Sequence, residues 1–406
     1  MPELIFWVCI AAVAYNYVGY PLLLFFICAF GHAKSDFQYL AYRRNRRRLL
    51  TTDKAPQVAV LISVYNEETV IEAKTRNCLE IDYPADRVEF LFGLDAPSDS
   101  TPALLSPFTS HRLRVFHFPR RRGKLAVLCD LAQRTSAEIL VLTDANTLLD
   151  RTAIRNLVRH FADPRVGAVS GEEIRVAASG SESSAEGLYW RYESAVKILE
   201  SRLNCSLGGN GSALAVRRAL FNPRERSIVE DFQIPLEIRF QGYRVVYDPE
   251  AIAVEEIAPT WAAQFARRVR IGAGNYQTFF AHPEYLNPRK GFLAFSFFSH
   301  RVLRWLVPLL LPLAFICSVL LSARPTYAIL AAAHGAFYLI AGVGWSLKKR
   351  AKPLWLCSVP FHFCAMNMAL FLGLLRFLRG RQELAWQPTP RRLGEAAFLD
   401  KLSGNS

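Results

Sequence analysis

The stretch Val58-Ala59-Val60-Leu61-Ile62-Ser63-Val64 is a continuous apolar run that leads into the polar segment Tyr65-Asn66-Glu67-Glu68. A run without polar alternation is typical of a parallel strand that is buried on both faces. Two similar runs follow at residues 88–94 and 138–143, and the second ends directly at Asp144. Because helical stretches lie between them, the sequence predicts strand, polar loop and helix in alternation.

This alternation predicts an α/β fold with a doubly wound sheet over residues 55–280. In such sheets, ligands bind beyond the carboxyl ends of the strands, where the connecting loops meet. The loops after the three predicted strands all carry acidic or amide side chains. We therefore expect these loops to converge on one crevice.

Both ends of the chain are hydrophobic, and 51% of its 406 residues are of hydrophobic types. About 20 apolar residues suffice to cross a bilayer. Residues 4–30 form such a run, which is too long for the apolar core of a signal peptide, so we predict an uncleaved transmembrane helix. Residues 302–322 and 327–345 can each span a bilayer, and a further run covers residues 354–378.

Basic residues predict the orientation of these helices. Five arginines lie within residues 43–48, soon after the first helix, and four basic residues lie within 348–352. Short basic flanks usually stay in the cytoplasm, so we expect the N-terminus outside and the middle domain on the cytoplasmic side of the inner membrane. Arginines in the tail also favour the inside, which leaves open whether residues 354–378 span the membrane or form a re-entrant element.

The formal net charge of +14 predicts an anionic partner, such as a phosphate-bearing substrate or acidic membrane lipids. Nucleic acid fits poorly, because the arginine cluster adjoins a membrane helix and has no interleaved aromatic residues. An apolar, aromatic stretch before residue 301 with basic flanks predicts an interfacial helix, or alternatively an extension of the spanning helix. The predicted segments are an N-terminal transmembrane helix at 1–30, a basic cytoplasmic linker at 31–54, the α/β domain at 55–280, the interfacial helix at 281–300, a C-terminal transmembrane region at 301–378 and a basic tail at 379–406.

Two motifs in the middle domain suit the binding of phosphate and a metal ion. In Asp144-Ala145-Asn146, two oxygen-bearing side chains one residue apart can point the same way and bind a divalent cation. The alternative is that Asp144 only caps a helix near Arg151. Arg121-Arg122-Gly123-Lys124 opens a helical stretch, where the helix N-terminus and the ammonium group favour phosphate, unless the run is merely a solvated surface.

Two further motifs suit substrate binding and proton transfer. Gly208-Gly209-Asn210-Gly211 lets the backbone approach a ligand closely, or forms a plain turn. The pair Glu230-Asp231 is a candidate general base in an otherwise basic domain. Its alternative is a helix start, since residues 232–240 have a helical pattern.

The order of these motifs resembles that of family 2 glycosyltransferases, over residues 56–277. With the hydrophobic ends, it is similar to the membrane-bound branch that includes the synthases of cellulose, hyaluronan, chitin and poly-N-acetylglucosamine. The matching pieces are Pro56–Glu68, Asp95 with Ser98-Asp99-Ser100-Thr101, Gly123-Lys124, Thr143–Asn146, Gly208–Gly211 with Arg217-Arg218, Glu230-Asp231, and Arg267-Arg268-Val269-Arg270.

The resemblance implies a GT-A-like fold and an inverting hexosyltransferase that uses a UDP-linked sugar, with Mg2+ or Mn2+ as cofactor. It implies that Asp231, with Glu230 beside it, is the catalytic base. The implied donor-binding residues are Tyr65, Glu67, Asp95, Lys124, Asp144 and Asn146. The implied acceptor or diphosphate residues are Gly209, Asn210, Gly211, Arg268 and Arg270, and the implied metal ligands are Asp144 and Asn146.

Two residues depart from the family pattern. Asn146 stands where the family's metal motif has a second aspartate, and a neutral ligand binds a divalent ion less strongly. Ile271 stands where the synthases have a tryptophan whose flat face holds the terminal sugar of a growing polymer. Processive polymerisation is therefore in question, and the sequence favours equally the transfer of one sugar to a lipid-linked acceptor.

The sequence therefore predicts a nucleotide-sugar transferase at the cytoplasmic membrane face, in exopolysaccharide or glycolipid assembly, with a lipid-linked or glycan acceptor. The alternative within this class is a processive synthase with a channel, which would need an oligomer or a partner membrane protein. The alternative from another class is a non-catalytic membrane scaffold with a decayed transferase domain.

Overall fold

The computed structural model describes residues 1–42, 55–176, 184–223, 229–257, 260–347 and 355–380. The predicted arginine cluster, the basic loop at 348–352 and the tail beyond residue 380 lie outside the described residues. The described residues fall into two compact units. The helical unit comprises residues 1–38, 184–199 and 265–380, and the sheet unit comprises residues 39–42, 55–176, 200–223, 229–257 and 260–264.

The sheet unit is built on one eight-stranded sheet. Its strands are β1 (Val58–Val64), β2 (Val88–Asp95), β3 (Leu113–Phe118), β4 (Ile139–Leu142), β5 (Thr147–Leu149), β6 (Val166–Val176), β7 (Leu214–Arg217) and β8 (Arg244–Glu256). Their order in the sheet is β3-β2-β1-β4-β7-β6-β8-β5. β1, β2, β3 and β4 run parallel, whereas β7 is antiparallel to both β4 and β6.

Thirteen α-helices occur among the described residues. They are α1 (Pro2–Ala14), α2 (Tyr20–Tyr42), α3 (Ile71–Leu79), α4 (Thr101–Leu105), α5 (Lys124–Gln133), α6 (Ala153–Val158), α7 (Ser184–Arg202), α8 (Glu230–Phe240), α9 (Trp261–Ala281), α10 (Phe292–Ser296), α11 (Leu303–Leu320), α12 (Pro325–Leu347) and α13 (Trp355–Leu378). π-helical turns join α1 to α2 and α10 to α11.

The strand β1 is central because both of its faces are apolar. All seven of its residues are buried. Successive side chains point to opposite faces, so Val58, Val60 and Ile62 join one hydrophobic core while Ala59 and Leu61 join the other. The predicted buried parallel strand is confirmed, and so is the predicted α/β fold.

The strand order positions a crevice beside β1. The chain moves from β1 through β2 and β3 on one side, and then returns to β4 on the other side. Such a reversal opens a crevice at the carboxyl ends of the two central strands. β7 then pairs with β4 so that Leu214 lies opposite Leu142. This antiparallel register brings the residues that precede β7 to the carboxyl end of β4.

Four helices of the helical unit are long and apolar enough to cross a membrane, by length and composition. They cover Pro2–Gly31, Phe292–Leu320, Pro325–Leu347 and Leu356–Leu378. The stretch predicted as interfacial thus continues into the second of them, and its place at the interface stays a prediction. The last is one continuous helix with Pro360 inside it.

The start of α1 lies beside the start of α12. The Glu3 carboxylate accepts hydrogen bonds from Arg324 Nη1 and from the Tyr327 hydroxyl, each at 2.8 Å. Trp7 Nε1 donates to the same hydroxyl at 3.1 Å. The N-terminus and the α11–α12 connection are therefore at one end of the helical unit.

Candidate active site

The loops that follow β1 and β2 lie against each other. Asn66 Oδ1 accepts from the Ser98 backbone N–H at 2.8 Å, and the Glu67 N–H donates to Thr101 Oγ1 at 3.0 Å. Asn66 and Ala96 adopt left-handed φ angles of 50° and 53°. Such conformations are costly for residues other than glycine and gather at functional sites. The predicted convergence of these two loops is confirmed.

Lys124 is the centre of a charged cluster at the carboxyl end of β4. Its Nζ lies 2.5 Å from Asp144 Oδ1 and also contacts Glu230 Oε1. Lys124 is the first residue of α5, and Glu230 is the first residue of α8. Burial favours the neutral form of the amine, but the two carboxylates prevail and raise the pKa of Lys124 above its ordinary value.

Asp231 lies beside this cluster and is half-buried. The Gly211 backbone N–H donates to its Oδ2 at 3.4 Å. Burial, followed by the charge of Glu230 and a smaller contribution from Asp144, raises the pKa of Asp231 to about 6, while Lys124 opposes the shift. A carboxylate with this pKa is mostly ionised at neutral pH and can still accept a proton.

The Gly208–Gly211 loop is fixed against α8. The Gly209 N–H donates to the Asp231 carbonyl at 2.8 Å, and a Cβ on Gly209 would lie 2.9 Å from Leu214 Cδ1. Asn210 is only 7% exposed, and its Nδ2 has no hydrogen-bond partner among the described residues. A buried donor without a partner is costly, which favours the ligand-binding interpretation over a plain turn.

The segment Asp144-Ala145-Asn146 turns the chain from β4 directly into β5. The Thr147 N–H donates to the Asp144 carbonyl across this turn, at 3.2 Å. The alternative of a helix cap near Arg151 is wrong, because a strand follows the turn and α6 begins only at Ala153.

Asp144 and Asn146 fit a divalent cation that is shared with phosphate oxygens. The Asp144 side chain is 25% exposed. Asn146 Nδ2 donates to Glu255 Oε1 at 2.8 Å, which leaves the amide oxygen for a ligand. The described residues contain no group of three His, Cys, Asp or Glu side chains that could hold a metal alone. Mg2+ commonly uses one or two protein oxygens together with substrate phosphates.

Two side chains of α3, Lys74 and Asn77, hydrogen-bond the chain on either side of the Asp144–Asn146 turn. Neither was identified from the sequence. Lys74 is fully buried, and its Nζ donates to Thr143 Oγ1 at 3.1 Å and to the Thr147 carbonyl at 2.6 Å. Asn77 pairs with the Leu149 backbone as a strand would, donating at 2.8 Å and accepting at 2.9 Å. Burial lowers the pKa of Lys74.

A signal for Lys74 exists in the sequence. Ile71, Lys74, Thr75 and Cys78 follow the spacing of one helix face. Two of these four are apolar, so the lysine lies on the stripe that a helix buries. A buried lysine needs specific oxygen acceptors.

The predicted donor-binding residues Tyr65 and Asp95 contact the loop that precedes α5. The Arg121 guanidinium lies 3.7 Å from the centroid of the Tyr65 ring. The two carboxylate oxygens of Asp95 accept from the backbone N–H groups of Arg122, at 2.8 Å, and Gly123, at 2.9 Å. Asp95 therefore positions the residues just before Lys124. Its contact with the nucleoside, like those of Tyr65 and Glu67, stays a prediction.

Gly123 permits this arrangement because it adopts a φ of 90°, in the region that favours glycine.

Arg268 and Arg270 lie on α9 in the helical unit, where Arg268 Nη1 is 2.7 Å from Met366 Sδ. Among the predicted site residues, the structure thus groups Lys124, Asp144, Glu230, Asp231 and the glycine loop. The diphosphate or acceptor role of the two arginines stays a prediction.

Comparison with known proteins places this site in context. The sequence profile of the family described as "Glycosyl transferase family group 2" matches residues 139–374, more than half of the chain. A poly-beta-1,6-N-acetyl-D-glucosamine synthase of Staphylococcus aureus (strain COL) is 25% identical over 250 residues, which are 59% of each chain. A probable glycosyltransferase of Bacillus subtilis (strain 168) is 23% identical over 261 residues, 58% of this chain and 60% of that one. The chain thus spans about 60% of the length of these relatives.

A solved structure has a similar fold over a larger share of the chain. It is a mannosyltransferase from Pyrobaculum calidifontis in complex with GDP-Man and Mn2+. The TM-score is 0.68 and the sequence identity is 24%, and the match covers 93% of this chain and 100% of that one. At this identity the likeness shows the fold alone.

Proposed function

The chain belongs to glycosyl transferase family group 2, and from that premise we propose that it transfers a sugar from a UDP-linked donor to a lipid-linked or polysaccharide acceptor. One observation carries the proposal. Lys124 joins Asp144 and Glu230 at the carboxyl end of β4, beside an aspartate whose pKa is raised to about 6. This arrangement supports a phosphate-binding role for Lys124 and a general-base role for the neighbouring Asp231.

The chemistry assigned to these residues is an inverting displacement. Asp231 takes the proton of the acceptor hydroxyl as that oxygen bonds to the anomeric carbon. The bond from this carbon to the diphosphate oxygen breaks, and the nucleoside diphosphate leaves. Lys124 and the Asn210 amide face the developing negative charge as donors. A Mg2+ or Mn2+ ion held by Asp144 and Asn146 would neutralise the diphosphate, and the similar mannosyltransferase is in complex with Mn2+.

We place the enzyme in the inner (cytoplasmic) membrane with its catalytic domain on the cytoplasmic side. Four helices have the length and composition of membrane spans. The Glu3–Arg324 contact puts the N-terminus and the α11–α12 connection at the same end. This agrees with an outside N-terminus, since the basic stretches at 43–48 and 348–352 both prefer the cytoplasm.

The acceptor and the product length separate two versions of this function. Similarity to a poly-N-acetylglucosamine synthase favours a polymer and a role in exopolysaccharide assembly. Ile271, in place of the tryptophan of the synthases, favours one addition to a lipid-linked acceptor, as in glycolipid assembly. A ladder of products on a gel would support the polymer, which would then need an oligomer or a partner membrane protein to complete a channel.

The test is nucleoside diphosphate release by the purified protein in detergent. UDP-N-acetylglucosamine, UDP-glucose and GDP-mannose are each supplied with Mg2+ or Mn2+ and with a lipid-phosphate acceptor. Release from one UDP-sugar supports the proposal. Release from GDP-mannose alone would retain the transferase and reject the UDP donor. No release from any donor would overturn the proposal in favour of a non-catalytic scaffold.

A further inference from the structure

Glu255 contacts the motif residue that departs from the family pattern. It lies on β8 opposite Thr147 of β5, the residue that directly follows Asn146. Its Oε1 accepts the hydrogen bond from Asn146 Nδ2 at 2.8 Å. Glu255 is 3% exposed and Asn146 is 8% exposed, so this bond is shielded from water.

The chemistry of the two groups fixes the orientation of the amide. The Glu255 oxygen accepts this hydrogen bond, so the amide nitrogen of Asn146, its only donor, faces Glu255. The remaining polar atom, Oδ1, is then the one that a ligand meets. An amide without such a partner could turn its nitrogen outward, and an amide N–H2 group cannot serve as a ligand of a divalent cation, which prefers oxygen.

The same contact accounts for the asparagine. An aspartate at position 146 would place two buried carboxylates at hydrogen-bond distance from each other. Like charges this close cannot both ionise without a large cost. A neutral amide at position 146 avoids this repulsion and still supplies an oxygen ligand beside Glu255.

We propose that Glu255 is a positioning residue that orients Asn146 with its amide oxygen towards the metal ion of the donor diphosphate. This inference rests on the proposed function for the ligand, but the Glu255–Asn146 pairing can be tested without it. Glu255 does not touch the reacting atoms. It acts by determining which atom of Asn146 the ligand encounters.

The experiment compares Asn146→Asp, Glu255→Gln and the double variant. Glu250→Gln is the matched control, because it makes the same change on β8 at an exposed side chain paired with Arg159. The first readout is the apparent Tm of the metal-free protein in detergent. The second is the Mn2+ concentration that gives half-maximal transfer.

Asn146→Asp alone should lower the Tm of the metal-free protein by roughly 5 °C and reduce transfer roughly 10- to 100-fold, as changes around metal ligands commonly do. The double variant should regain the wild-type Tm and transfer within about threefold, because the introduced amide donates to the introduced carboxylate. Glu255→Gln alone should keep a near-normal Tm, because the glutamine side chain can hydrogen-bond Asn146 in either orientation of its amide. Half-maximal transfer should then need several-fold more Mn2+, because the amide oxygen of Asn146 no longer has to face the ligand.

Two results would overturn the inference. One is an Asn146→Asp protein with wild-type Tm and transfer, and the other is a double variant no better than Asn146→Asp. If the wild type transfers no sugar at all, the proposed function fails. Rescue of the metal-free Tm in the double variant would still decide whether Glu255 fixes residue 146.

Discussion

Replacement of Asp231 by asparagine should abolish transfer while donor binding survives. The amide keeps the shape of the carboxylate and can still accept from the Gly211 N–H. It cannot accept the proton of the acceptor hydroxyl, and loss of a general base typically costs 10²–10⁴-fold in rate. Binding of UDP, measured by calorimetry, should change by less than about threefold.

The raised pKa of Asp231 sets the size of a pH effect in the wild type. With a pKa of about 6, roughly 97% of the carboxyl is ionised at pH 7.5 and roughly 9% at pH 5. The value of kcat/KM should therefore fall about tenfold over this interval. An ordinary aspartate, with a pKa of 3.8, would stay roughly 94% ionised at pH 5 and produce almost no fall.

The assay is the initial rate of nucleoside diphosphate release at saturating metal, followed by return of each sample to pH 7.5 to show that the protein has not been damaged. Asp82→Asn is the control, since Asp82 forms an exposed pair with Arg155 and should change neither rate nor profile. A flat profile from pH 7.5 to 5, or an Asp231→Asn rate within tenfold of the wild type, would refute the assignment.

Three further outcomes follow from the same contacts. Lys74→Met should cost about 1–3 kcal/mol in thermal unfolding, because two buried oxygen atoms lose their donor. Gly209→Ala should reduce transfer roughly 10-fold or more, since its Cβ meets Leu214 at 2.9 Å, whereas Gly211→Ala, whose nearest contact is 3.4 Å, should be milder. The pKa of Asp231 is higher in the native state than its ordinary value of 3.8, so between about pH 4 and 6 the native state binds a proton that the unfolded state does not. The free energy of unfolding should therefore fall as the pH rises through that window. Asp231→Asn should remove this fall.

The residues directly after strands were predictable, because the apolar run of a buried strand is a local property. The apolar run Val58–Val64 has no polar residue that alternates with the apolar ones, so it predicts a strand that ends at Val64 with a loop from Tyr65. The structure has the strand with these bounds. The same holds for Asp144, which follows β4 after Thr143. The helix start at Lys124 was predictable from the preceding glycine and charges.

Residues whose role depends on distant strand pairing were not predictable. The contact of Lys124 with Glu230 requires β7 to run antiparallel to β4, and no local pattern encodes that register. Glu255 and Glu256 are adjacent acidic residues, a pattern that by itself predicts a solvent-exposed strand end. Glu255 is buried because β8 has β5 on one side and β6 on the other.

The proposed metal requirement follows from the charges at the end of β4. Asp144, Glu230 and Asp231 are three carboxylates and Lys124 is one ammonium group, so the ionised cluster carries a net charge of −2. A diphosphate is anionic as well, and two like charges 4 Å apart repel by about 4 kcal/mol at an effective dielectric constant of 20. A divalent cation held by Asp144 and Asn146, as proposed, would bring the cluster to neutrality, and Lys124 would then be able to turn from the carboxylates to the phosphate. An aspartate at position 146 would add a further negative charge directly beside the Glu255 carboxylate. A neutral Asn146 avoids that repulsion and, in the proposed site, still supplies an oxygen to the metal ion.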